Sequence, residues 1–125
     1  LVARNSTTNN TETTLFLDGS STRLVIPAQT TWTFNIKVSA YNTTNNEGAW
    51  WSIRGGIRRN AANGTTLIGS LIVETATEAS ISTAVVTVTS DDTNEALNIN
   101  VTGVTSKDIR WVGIVDISQV SYGTP

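Results

Sequence analysis

The chain contains no cysteine and no histidine. Without cysteine there is no disulfide framework and no thiolate chemistry, and the redox compartment is left open. Without histidine the commonest metal ligand and the commonest general base are both missing. Charge is scarce as well: 14% of residues are charged and the net charge is −2. That balance gives no electrostatic footprint for nucleic acid and no polybasic patch for a membrane surface. No apolar run approaches the roughly 18 residues that span a bilayer, so membrane insertion is not expected. Leu1 to Asn10 lacks the apolar stretch of a signal peptide, and the chain starts without Met. These features suggest a fragment or C-terminal module of something longer.

What is present is hydroxyl and amide chemistry arranged with period two. A chain of 125 residues is one domain with a modest core. Thr, Ser and Asn keep its surface wet, a composition typical of extracellular, virion or carbohydrate-facing β-domains. Residues 1–12 are polar and without periodicity, which reads as a linker or arm before a domain at 13–125.

Strands are expected at Thr13–Leu17 and Thr22–Ile26, separated by the turn Asp18–Ser21, with Pro27 stopping the second. Thr30–Asn42 alternates without a break, Trp32, Phe34, Ile36, Val38 and Ala40 against Thr31, Thr33, Asn35, Lys37 and Ser39. Asn42–Gly48 is a polar loop. Ala49–Asn60 follows, with Trp51, Ile53, Gly55 and Ile57 inward and Trp50, Ser52, Arg54, Gly56 and Arg58 outward. Asn63-Gly64 fits a type I′ hairpin turn into Thr65–Thr75, where Leu67, Gly69, Leu71 and Val73 share a face. Glu78–Ser90 is a further strand with Ala84, Val86 and Val88 inward, and Asp91–Asn94 turns it. Glu95–Tyr122 reads as a closing hairpin, Leu97, Ile99 and Val101 on one arm and Ile109, Trp111, Gly113, Val115 and Ile117 on the other. The result is an all-β fold, an antiparallel β-sandwich of about eight strands, jelly-roll-like in strand number.

Leu15–Gly19, Arg23–Pro27, Trp32–Val38, Leu97–Gly103 and Ile109–Val112 together resemble a recurrent domain. It occurs at the C-terminal ends of tail fibres, tailspikes and related structural proteins of tailed bacteriophages. The resemblance spans Thr13 to Tyr122 and rests on core strands and turns, so it is specific for fold and weak for ligand. It implies a protein of the virion exterior, a homotrimer mounted distally on a tail fibre or tailspike and contacting other virion proteins and the host surface. Relatives often carry Arg-Arg and acidic residues where Tyr41–Gly48 is an Asn/Thr loop. A receptor contact made there would differ in specificity.

Catalysis is not expected. Nucleophilic Ser or Thr chemistry needs a base, and only Lys37, Lys107 and carboxylates are at hand. Asp91 and Asp92 are neighbours in a turn, where side chains diverge and solvate the turn. No calcium-loop spacing is present, so neither metal nor cofactor is expected. Glycan binding is the sharper idea, with aromatic faces stacking on C–H groups and Asn or Arg bonding hydroxyls. Trp50 and Trp51 are consecutive on a strand and face opposite ways. With Trp51 in the core, Trp50 lies outside near Arg54, Tyr41, Asn42, Asn45 and Asn46. Those six residues are the candidate site, for a host-surface polysaccharide or for a subunit interface, the second favoured by the implied trimer. A non-receptor role in the virion, such as capsid decoration or a head fibre, is the alternative function.

Overall fold

The computed structural model describes residues 1–122 and shows an all-β chain of nine strands in two antiparallel sheets. The expected sandwich is present, and its sheets are not closed into a barrel. Residues 123–125, the end of the expected domain, lie outside the described part.

The larger sheet holds β1 (Val2–Thr7), β4 (Thr30–Asn42), β5 (Glu47–Arg59), β6 (Thr65–Thr77) and β9 (Ile109–Ser121), in the order β1-β9-β4-β5-β6. The smaller sheet holds β2 (Glu12–Thr14), β3 (Leu24–Val25), β7 (Val85–Asp91) and β8 (Ala96–Thr102). β7 runs the whole length of β8 on one edge, so β2 and β3 share the other. The chain's ends fold together, β1 on β9 and β2 on β8, as in a jelly roll, while β4-β5-β6 is a plain meander.

β4 matches its expected span end to end because its alternation is unbroken, and its inward side chains are all buried. Trp51 and Trp111 pack with ring centroids 5.5 Å apart. Two of the three buried indoles are satisfied as donors. Trp111 Nε1 donates to Thr7 Oγ1 at 2.9 Å and Trp32 Nε1 to Gln119 Oε1 at 2.8 Å.

Four expectations are corrected. Residues 1–12 are not a linker: Val2–Thr7 is an edge strand whose Ala3 and Thr7 are buried against β9. So few apolar residues mark that strand that no periodicity shows. β8 and β9 do not form a closing hairpin, since they lie in opposite sheets and Gly103–Asp108 crosses between them. Alternation specifies which face a residue takes, never which strand it pairs with. Asn63-Gly64 is not a two-residue turn. Asn63 alone takes a positive φ, 63°, and Asn60 and Gly64 close a longer loop through their backbones and the Asn60 amide. Glu78–Ser90 is a strand only from Val85, because Ala79–Ile81 forms a 3-10 turn that buries Ile81.

One irregularity shapes the outward surface. β5 and β6 stay in register through Arg54 opposite Ile72 and resume with Gly56 opposite Ile68. Gly69, Ser70 and Leu71 therefore bulge against Gly55 alone, with Gly69 at a φ of 69°.

Candidate functional site

Strand parity decides what the larger sheet shows to solvent. Its outward face carries Val2, Tyr41, Trp50, Ile68, Ile72, Val112, Ile114 and Val120, all well exposed. Singly exposed apolar residues are ordinary, but so many on one sheet face form a patch that folding does not require.

Two stations stand out. At one end Trp50 and Tyr41 lie on adjacent strands, 47% and 50% exposed. Tyr41 pairs with Gly48 and Trp50 with Ser39, so the two rings are diagonal neighbours over small residues. The Tyr41 hydroxyl donates to Asn46 Oδ1 at 3.1 Å, which braces the ring against the β4–β5 turn. This is the part of the expected site that the structure brings together.

Asn42 and Asn45 do not join it. Asn42 is on the inward parity of β4 and is fully buried. Its Nδ2 donates to Asn45 Oδ1 and Ser80 Oγ, and its Oδ1 accepts from the Thr44 N–H. Asn45 Oδ1 also takes the Lys107 ammonium at 2.6 Å. Both amides tie loops together. Glu47 extends that network: its bonds with the Ser80 hydroxyl and N–H hold its carboxyl below the usual range.

Arg54 belongs to the second station. It faces outward on β5, four residues from Trp50 and so about 13 Å along the strand. There a cleft of about 620 Å³ opens on the sheet face. Its walls are Thr33, Asn35, Arg54, Ile72, Asp116 and Ser118, and Phe34, Gly55 and Ile117, the inward-parity residues between them, complete the lining. Asp116, Asn35, Arg54 and Ile72 form one transverse row across β9, β4, β5 and β6. The bulge brings Ser70 to the rim. A side chain at Gly55 would lie 2.6 Å from Leu71 Cδ2 and 3.0 Å from Phe34 Cζ, so glycine is what fits beneath the cleft.

Asn35 Oδ1 is the buried side-chain polar atom that has no hydrogen-bond partner among the described residues. Leaving such a group unpaired costs about 1–3 kcal/mol, and the usual reasons are a missing water or a ligand. Rotation of the amide by half a turn would exchange acceptor for donor there. Asn35, Thr33, Asp116 and Ser118 were not among the expected site residues. The outward parity of Thr33 and Asn35 is legible, but Asp116 comes beside them only through the β4–β9 pairing.

The acidic turns point elsewhere. Asp18 accepts the N–H groups of Thr22, Ser21 and Ser20, which hold its carboxyl far below the ordinary value. Asp91 is lowered to about 2, first by the Asn94 side chain and backbone and then by Asn98 and the Thr93 N–H. Asp92 diverges from it and accepts the Thr65 N–H at 2.7 Å. Each carboxylate is occupied by a turn. No group of three or more Asp or Glu side chains is placed to hold a metal ion among the described residues. No helix there is long and apolar enough to cross a membrane.

Neither a protein-family model nor a curated protein matches the chain significantly.

Proposed function

We propose that this chain is an exterior module of a bacteriophage virion, a homotrimer at the distal end of a tail fibre or tailspike, that attaches to host-surface glycan. The observation that carries this reading is the Tyr41–Trp50 pair, two half-exposed aromatic rings side by side on a rigid sheet. Stacking on a sugar ring uses that geometry, and strands hold it more firmly than loops do. The phage context comes from the resemblance of the core strands. The residues behind that resemblance build the scaffold: Asp18 organises its turn, and Arg23 lies over the Phe16 ring at 5.2 Å while pairing with Asp91.

The test is binding of the fluorescently labelled domain to a panel of bacteria, with and without their surface polysaccharide as competitor. Saturable, polysaccharide-competed binding is expected, and Trp50→Ala or Tyr41→Ala should remove it while leaving the oligomer intact. Undiminished binding by both variants would refute this face as the site.

A second reading has its own observation. Val2, Val112 and Ile114 are exposed on neighbouring strands β1 and β9, in a strip that begins beside the aromatic pair, where Val112 lies across Ser39 from Trp50. An apolar strip of that kind fits a protein neighbour, either another copy in the trimer or a second virion protein. A folded oligomer that binds no strain would favour this capsid-decoration or head-fibre role.

A further inference from the structure

Charge is segregated on this molecule. The outward face of the larger sheet carries Arg4, Lys37, Arg54, Arg58 and Arg110, against Glu74 and Asp116. The strands of that face therefore carry five of the 8 basic residues but only two of the 10 acidic ones, with Asp108 beside Arg110 at the edge, on a chain of net charge −2. The face is net positive and everything else is net negative.

The cations away from the face are engaged locally. Arg23 meets Asp91 at 3.6 Å, Arg59 meets Glu95 at 3.9 Å, and Lys107 sits on Asn45 Oδ1. On the face, Arg110 has an exposed pair with Asp108, while Arg4, Lys37, Arg54 and Arg58 have no ion pair among the described residues, Arg4 reaching only the Asp18 carbonyl at 3.4 Å. Register explains why. Lys37 lies opposite Ile114 and Ser52, Arg58 opposite Thr31 and Thr66, and Arg54 opposite Asn35 and Ile72. No acid lies directly opposite any of them; Asp116 is only diagonal to Lys37 and Glu74 only diagonal to Arg54, and neither closes an ion pair among the described residues.

We propose that this face binds an acidic polysaccharide, with a sugar carboxylate held by Arg54 and sugar hydroxyls held by Asn35 and Asp116. This deepens the glycan reading and rests on it. The guanidinium offers a planar fork that matches a carboxylate with two parallel bonds. Its neighbours in the cleft, Thr33, Ser118 and Ile72, supply hydroxyls and an apolar wall but no competing cation. Asp116 lies two strand spacings from Arg54, about 10 Å, a width that takes a sugar ring between them. A carboxylate there accepts hydrogen bonds from sugar hydroxyls. The distance to Trp50 calls for a polymer of several sugars, stacked at one end and charge-paired at the other.

The experiment is calorimetric titration of the full chain with polygalacturonate, alginate and polysialic acid, each beside its carboxyl-reduced counterpart, and with single-stranded oligo-dT. Saturable binding to at least one acidic polymer is expected, at least about tenfold tighter than to its reduced form and weakening as salt rises. Arg54→Ala should weaken it by about tenfold or more, with Arg54→Lys between the two. Near-ultraviolet circular dichroism of the buried indoles confirms that each variant is folded. Equal binding of the reduced polymers, or an unaffected Arg54→Ala variant, overturns the acidic site and leaves the glycan reading standing. Binding to none of the acidic polymers overturns the acidic site, and binding to the bacterial panel then decides the glycan reading separately. Preferential binding to oligo-dT makes the anionic partner a nucleic acid and refutes the proposal.

Discussion

The two outward faces of the sandwich are built from similar residues and completed very differently. On the smaller sheet the side chains bond to each other across strands. Thr14 Oγ1 donates to Asn100 Oδ1, and Asn100 Nδ2 donates to Thr89 Oγ1, so one amide links β2, β8 and β7. Beside it Arg23 donates to Asn98 Oδ1, and Asn98 Nδ2 donates to Asp91. On the larger sheet, among the described residues, Asn35 Oδ1 has no hydrogen-bond partner, Arg4, Lys37, Arg54 and Arg58 have no ion pair, and large apolar groups face water. One face joins its polar side chains to each other within the chain, although Val25 and Val85 are exposed there too. The other is left with bonds to make, as a binding surface must be.

Paired substitutions can break this contrast, and the largest effect belongs to the finished face. Asn100→Ala removes two hydrogen bonds and strands Thr14 and Thr89, so it should cost roughly 2–3 kcal/mol in urea unfolding. A loss as small as that of an ordinary surface change would mean that the amide ladder is ornamental. Gly55→Ala forces Leu71 and Phe34 to shift beneath the cleft and should cost about 1–2 kcal/mol. It should also disturb ligand binding at Arg54, an effect that titration reads separately from stability.

The acid limb of stability sharpens the contrast further. The folded pKa of Asp91 is about 2 against an ordinary 3.8, so the folded state favours the charged form. Its contribution is fully present above about pH 4 and disappears as the pH falls from 3.8 through about 2. Asp91→Asn should therefore be less stable than the parent at neutral pH, with the difference shrinking across that window in urea titrations. A difference independent of pH would show that shape, not charge, matters at this turn.

The smallest stability effects belong to the unfinished face. Trp50→Ala, which gives up the contacts of a half-buried ring, should cost about 1 kcal/mol, and Asn35→Ala should not destabilise, since it loses no hydrogen bond and removes the unpaired Oδ1. A destabilisation of several kcal/mol from either would make that residue structural.

How much of this was legible in the sequence follows from what alternation can encode. Parity alone put Trp32, Phe34 and Ile36 inside and Trp50 outside, and each is placed so. Parity also removes Asn42 from the site, although it is adjacent in sequence to Tyr41, because neighbours on a strand point to opposite faces. Reading those loop residues as one cluster mistook closeness along the chain for closeness on a face. Pairing was the hidden quantity. Asp116 reaches Asn35 only because β9 lies beside β4, and nothing local to Ile109–Ser121 distinguishes that partner from β8. The edge strand Val2–Thr7 was hidden for a different reason. Its inward positions are Ala3, Asn5 and Thr7, too small and polar to show as a stripe.

The most direct single measurement uses the four tryptophans as reporters. Trp32, Trp51 and Trp111 are buried and Trp50 is on the open face, so the indole N–H signals in a ¹⁵N–¹H correlation spectrum separate core from surface. Titration with the acidic polymer that binds best in calorimetry should move the Trp50 signal progressively to saturation and leave the other three in place. A Trp50 signal that stays fixed at saturating polymer, or four signals that move together, would contradict a larger sheet whose inner face folds the protein and whose outer face binds the ligand.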